Sequence, residues 1–169
     1  SYLKSVFKYI RSLPPKFRPN DVDMESINLE ILKKDPSLIK EIEEDYRTYN
    51  VCIFVASNYD NAYKHICDYN LSHEIIIECV KRNSSVYNLL DNSMKSPELS
   101  EIVFCKDLHF YEKIPNEHKT VDMTVKYLSS ANNVNVSIIP KEHLNIFAVT
   151  EKVISVNGLY LNNVEFRAK

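Results

Sequence analysis

A period of 24 residues constrains this chain more than any other feature. Steps of 24 from Ile75 meet Ile27, Val51, Leu99 and Met123, and a two-residue insertion moves the sixth member of the column to Val149. Four residues further on, the column reads Ile31, Val55, Cys79, Val103, Tyr127 and Val153, and the next reads Leu32, Ala56, Val80, Phe104, Leu128 and Ile154. Offsets of i, i+4 and i+5 fall on one face of an α-helix. A second triplet follows in each unit. Its columns are Leu38, Ala62, Val86, Phe110, Val134, Tyr160; then Ile39, Tyr63, Tyr87, Tyr111, Asn135, Leu161; then Ile42, Ile66, Leu90, Ile114, Ile138, Val164. These offsets predict a second, shorter helix. Of the 36 positions 35 are apolar, Asn135 being the exception, in a chain whose overall hydrophobic fraction is 44%. Composition alone does not produce that enrichment, and periods of this length signal repeat architectures.

The punctuation between columns repeats as well. Thr48, Ser72, Ser96 and Thr120 stand three residues before the first apolar column, where an N-cap is needed. Glu74, Glu98 and Asp122 follow two residues later, where an acid meets the positive end of the helix dipole, and Pro97 occupies a position whose N–H would be unpaired anyway. Asp35, Asn83, Asp107 and Asn157-Gly158 suit the turn between the two helices. Helices this short are marginal alone, so each unit must gain its stability by stacking on its neighbours. The expected fold is all-α, an α-solenoid of about six helix-turn-helix repeats. Residues 2–13 place Leu3, Val6, Phe7, Ile10 and Leu13 on one helical face before Pro14 and Pro15. They are expected to cap the first repeat, with a membrane-surface helix as the less favoured alternative. The domain reading is therefore 1–19 as capping helix and Pro-rich turn, and 20–169 as tandem repeat domain.

Composition narrows the function classes. One glycine in 169 residues leaves no room for glycine-rich phosphate or dinucleotide loops. A net charge of -2 supplies no global field towards nucleic acid or anionic membrane. No apolar run approaches a membrane span and no signal peptide is evident. Cys52, Cys67, Cys79 and Cys105 have no paired spacing, which fits a reducing, intracellular and cytoplasmic setting. The chain begins at Ser1 without methionine, as a fragment of a longer protein would.

The units SHEIIIECVKRNSSVYNLL and TEKVISVNGLYLNNV resemble a repeat family of unknown function. Its members, in giant DNA viruses, protists and intracellular bacterial pathogens, carry units ending a helix on AV-x-x-N-G. The resemblance lies at Val80 and Val153 for the helix end, Asn83 and Asn157-Gly158 for the turn, and Tyr87 and Leu161 for the second helix. It spans most of residues 20–165 and is closest in the third and sixth units. It implies a helical repeat protein, viral or from a pathogen, acting in host cytoplasm, and it carries no catalytic motif.

Searching for chemistry yields two surface candidates. Tyr63, Tyr87 and Tyr111 share a column in successive units and would form a candidate interaction strip, since tyrosine is enriched in interfaces; packing between layers with the hydroxyls at the rim is the favoured alternative. Lys33, Lys34, Lys81, Arg82 and Lys106 recur at the end of the first helix as a candidate basic stripe, although cations there also complement the helix dipole. His65, Cys67 and His73 lack the spacing of a zinc site. Nothing places a thiol or hydroxyl beside a base, so no catalytic residue, cofactor or metal is assigned. The expected function is a non-enzymatic module binding a protein partner. A nucleic-acid-binding repeat protein and an adaptor arm of a larger enzyme are the alternatives. Partner identity and oligomeric state are not legible.

Overall fold

The structure, a computed structural model, describes residues 2–130 and 135–156. Among the described residues every regular element is helical and there is no strand. The period of the sequence is visible in where the helices begin. Helices α3 (Tyr49–Asn58), α4 (His73–Arg82), α5 (Pro97–Lys106) and α6 (Val121–Ser130), numbered after α1 (Tyr2–Ser12) and α2 (Asp21–Lys34), are each ten residues long and start 24 residues apart. A four-residue helix, α7 (Lys141–Leu144), precedes α8 (Phe147–Val156), which is again ten residues long and starts 26 residues after α6.

The starts follow from the caps. Side-chain oxygens of Thr48, Ser72, Ser96 and Thr120 accept hydrogen bonds from the backbone N–H groups of Val51, Ile75, Leu99 and Met123 at 3.4, 3.3, 3.2 and 3.2 Å. Each bond satisfies one donor that the helix itself cannot. The same four donors belong to the first apolar column, so cap and core are in register.

In the first four units the second half is not α-helical. It is a 3-10 helix, Pro36–Glu41, Ala62–His65, Ser84–Leu89 and Leu108–Lys113 in turn, followed in each case by a second 3-10 turn of three residues. The columns already carried the reason. Ile39 and Ile42, Tyr87 and Leu90, and Tyr111 and Ile114 are three residues apart and all buried, and a 3-10 helix with three residues per turn puts such pairs on one face.

The chain enters this tighter helix without glycine. Asp35, Asn83 and Asp107 end the preceding α-helices in an extended conformation, with φ of -150°, -136° and -154°. Each then folds its side chain over the next turn. Asp35 accepts from the Ser37 N–H at 3.0 Å, Asn83 from Ser85 at 3.1 Å and Asp107 from His109 at 2.9 Å. No described residue has positive φ, which is how the fold proceeds on a nearly glycine-free sequence.

Asn135 belongs to this same class of turn and not to an apolar column. It accepts from the Ser137 N–H at 3.1 Å and opens a short 3-10 helix, Val136–Ile138. Val136 and Ile139 are the buried residues there. The two-residue offset falls where the 3-10 helix is shorter and α7 stands in place of a three-residue turn. Val134, Asn157, Gly158, Tyr160, Leu161 and Val164 lie outside the described residues.

The chain divides into two compact units, Ser1–Val86 and Tyr87–Lys169. In the first, α2 packs on α3 and α3 along α4, while the 3-10 segments Pro36–Glu41 and Ala62–His65 pack together and on α3. Helix α1 buries Phe7, whose ring stacks on Tyr46 with centroids 5.4 Å apart. Arg11 pairs with Glu43, and with Asp45 at 3.4 Å. The face Leu3, Val6, Phe7, Ile10 and Leu13 is the less exposed one, as its spacing predicts. In the second unit, α6 packs along α8 and, with α5, on Leu108–Lys113.

Candidate functional site

Two of the three tyrosines in the expected strip do not reach a surface. Tyr87 and Tyr111 are 0% exposed, whereas Tyr63 is half-buried. Their hydroxyls are not at a rim either. The Tyr87 hydroxyl lies 2.9 Å from Ser100 Oγ, and the Tyr111 hydroxyl 2.7 Å from Thr124 Oγ1. Ser100 Oγ in turn lies 3.4 Å from His118 Nδ1, and Thr124 Oγ1 2.8 Å from His143 Nδ1. The second unit thus contains one relay twice, a tyrosine, a hydroxyl residue and a histidine, buried throughout in the Tyr111 copy and ending on half-buried His118 in the other.

Counting protons orients both copies. Ser100 donates its hydroxyl hydrogen to the Ser96 carbonyl at 2.9 Å, and Thr124 donates to Thr120 at 3.0 Å. A hydroxyl has one hydrogen; spent on the helix carbonyl, it leaves the tyrosine and the histidine as the donors. In that arrangement the hydrogen of each histidine–hydroxyl bond sits on Nδ1. Burial pushes the Tyr87 phenol above its ordinary value and the Tyr111 phenol up to about 12, a rise that the Thr124 bond opposes. Tyr111 is also sandwiched: Tyr127 stacks on one side at 4.5 Å, and Lys119 Nζ stands 4.7 Å from the ring centroid. Lys119 is buried and donates to the Ile138 carbonyl at 2.7 Å and to Asn116 Oδ1 at 3.0 Å. Its pKa falls because burial penalises the ammonium, with Glu112 opposing. Arg47 does the same work in the first unit, donating to the carbonyls of Ile42 and His65 at 2.8 Å each. These cations close the carbonyl ends of the 3-10 helices, where the helix dipole is negative.

Sequence reasoning missed this relay, although a signal existed. The column one residue after the first apolar column reads Asn28, Cys52, Ile76, Ser100, Thr124 and, after the offset, Thr150. Ser100 and Thr124 are fully buried, and a polar column beside a buried one asks for partners.

The basic stripe is dispersed among exposed ion pairs. Lys33 meets Glu30 at 2.5 Å, Lys81 meets Glu78 at 2.9 Å and Arg82 meets Asp60 at 2.7 Å. Lys34 lines a groove on the outer side of α2, and Lys106 ends α5 on the surface. Exposed pairs of this kind contribute little to stability, about 0–1 kcal/mol each, but they offset the positive charge that a phosphate backbone would need.

The second unit has an open cleft of about 330 Å3 between α5 and α6. Glu98, Glu101 and Cys105 stand on one wall, Asp122 and Lys126 on the other, with Phe104, Met123 and His118 among the lining residues. Lys126 bridges to Asp122 at 2.7 Å, which together with Coulombic attraction raises its pKa. His118 joins this cleft to the buried relay.

The thiols differ sharply in environment. Cys52 and Cys79 are buried, and desolvation pushes them up to about 11 and about 12. A protonated thiol is a poor nucleophile and a poor metal ligand. Cys105 is exposed and Cys67 half-buried. His65 stacks on Tyr59, with centroids 6.1 Å apart, and burial lowers its pKa. Among the described residues no three His, Cys, Asp or Glu side chains gather as a metal site, and no helix is long and apolar enough to cross a membrane. No family model matches the chain, and no curated protein or solved structure matches it.

Proposed function

We propose that this chain is a non-enzymatic protein-binding module in which about six 24-residue repeats stack as an α-solenoid. One observation carries the reading: helices of equal length, capped in the same way, start 24 residues apart from residue 49 to residue 121. Such a frame keeps its buried columns constant while its exposed positions vary freely, which is how repeat proteins build binding surfaces. The Ser100 and Thr124 hydroxyls and the buried His143 bond to partners within the second unit, and His118 alone among these groups reaches the cleft. Glu101, Cys105, His118 and Lys126, whose equivalents differ from repeat to repeat, line the α5–α6 cleft beside the repeated acids Glu98 and Asp122. The resemblance to AV-x-x-N-G repeats supports a viral or pathogen protein acting on a host protein inside the cell, and four unpaired thiols agree with a reducing compartment.

The test is affinity capture with the intact gene product beside a Glu98→Lys/Glu101→Lys variant, whose exposed changes leave the buried columns untouched. The expected outcome is a defined protein partner retained by the parent chain and lost, or weakened about tenfold, by the variant. Binding to DNA or RNA at low salt with a steep salt dependence would overturn the reading in favour of a nucleic-acid-binding repeat protein.

A further inference from the structure

One surface of the first unit lacks the cover that every later repeat has. In the first apolar column Val51, Ile75, Leu99 and Val149 are 0% exposed and Met123 is 6% exposed, whereas Ile27 is 44% exposed. In the next column Val55, Cys79, Val103, Tyr127 and Val153 are all buried and Ile31 is only half-buried. Within the first unit the cause is visible: α2 lies on α3 and α3 lies on α4, so each helix shields the column of the next. Among the described residues no helix packs along that side of α2 as α2 packs on α3; α1 instead sits on the Glu41–Tyr46 stretch through Phe7, Lys4 and Arg11. A groove of about 450 Å3 remains along α2, lined by Ile27, Ile31 and Leu38. A second groove of about 470 Å3 shares Ile31 and Leu38 and extends it to Tyr2 and Leu3.

We infer that this edge is covered by the same edge of a second copy, the two α2 helices running antiparallel about a two-fold axis. Two observations select that occupant. The groove continues the helix-on-helix interface repeated inside the unit, so its natural complement is another helix of this chain. The stripe along α2 is also self-complementary in charge. Asp23, Ile27, Ile31 and Lys34 follow one another at helical spacing, and Asp23 and Lys34 are both exposed. Antiparallel packing sets Ile27 of each copy beside Ile31 of the other, and brings Asp23 against Lys34 of the second copy at both ends. A parallel arrangement would place like charges together. Glu30 is already engaged by Lys33 of its own helix and stays at the rim. The apolar strip is short against the roughly 1,200–2,000 Å2 of a stable interface, so the dimer forms and dissociates with concentration.

Sedimentation velocity of the full chain over a concentration series tests this. The expected result is a concentration-dependent dimer. Ile27→Glu, at a half-exposed site, and Lys34→Glu should each weaken it about tenfold or more, with helicity checked by circular dichroism. The double variant Asp23→Lys/Lys34→Glu exchanges the end charges and should restore association to near the parent level. A single monomeric species up to about 1 mM would overturn the inference, as would a dimer indifferent to Ile27→Glu or a double variant no better than Lys34→Glu alone. A monomeric result leaves the protein-binding reading intact, because the cleft between α5 and α6 lies in the other unit.

Discussion

A phenol taken out of water needs a partner for its hydroxyl, and Tyr111 finds it in Thr124 at 2.7 Å. The donor count around Thr124 makes the two ends of this bond unequal. Tyr111→Phe removes one donor and leaves Thr124 bonded to His143 and to the Thr120 carbonyl. Its expected cost is about 1 kcal/mol. Thr124→Val removes the shared acceptor and strands the Tyr111 hydroxyl and His143 Nδ1–H together, at about 1–3 kcal/mol for each buried group. Urea unfolding of the two variants should place Thr124→Val clearly below Tyr111→Phe, and equal midpoints would refute the relay as drawn. The sequence displays Tyr87 and Tyr111 as members of a column, and aromatic residues in register suggest a surface ladder as readily as a core. What decides between them is the hydroxyl column opposite, which becomes visible only once α5 and α6 are set beside the 3-10 segments.

At the scale of elements the sequence was most legible, because caps and helix starts are local. Ser72 lies three residues before Ile75 and bonds its N–H; nothing remote is needed for that. Ser72→Ala should cost about 1 kcal/mol, with Ser85→Ala, outside any α-helix cap, as a contrast in the same denaturation series. If the cap variant is no less stable than the parent, helix α4 does not depend on this bond. The second element of each repeat was less legible. An i, i+1, i+4 pattern over six residues fits a short α-helix or a 3-10 helix, and the three-residue spacing of Ile39 and Ile42 separates them only when both are seen to be buried. Asn135 was misplaced for a related reason. A fixed step of 24 cannot detect a turn residue that stands four places later than its equivalents Asp35, Asn83 and Asp107 predict.

At the scale of the whole molecule, buried acids of high pKa couple folding to pH. Tyr111 at about 12, Cys52 at about 11 and Cys79 at about 12 all lie above their unfolded values of 10.0 and 9.0. In each case the folded state holds its proton more tightly than the unfolded chain. Their contribution is therefore fully present below the unfolded pKa and is lost as pH rises through the folded one. Lys119 runs the other way, its lowered pKa adding stability as pH climbs towards the ordinary lysine value of 10.5. Three groups outweigh one, so the urea midpoint should fall between about pH 9 and pH 12, and the fall should be shallower in Cys79→Val than in the parent. The same burial should make Cys105 react first with a thiol reagent at neutral pH, while Cys52 and Cys79 wait for unfolding.

The sequence by itself determined the helical class, the repeat length, the caps and the two-residue offset before Val149, because each rests on residues within one turn or one period of each other. Tertiary structure decided which apolar positions are covered. Ile27 and Val51 are equivalent members of one column, yet only Val51 has a preceding helix laid over it. It decided equally that Tyr87 and Tyr111 face inward to Ser100 and Thr124, since a column in the sequence fixes spacing along the chain but not which neighbour stands opposite. The 24-residue period specifies where each helix starts; the elements packed against it determine what each residue does.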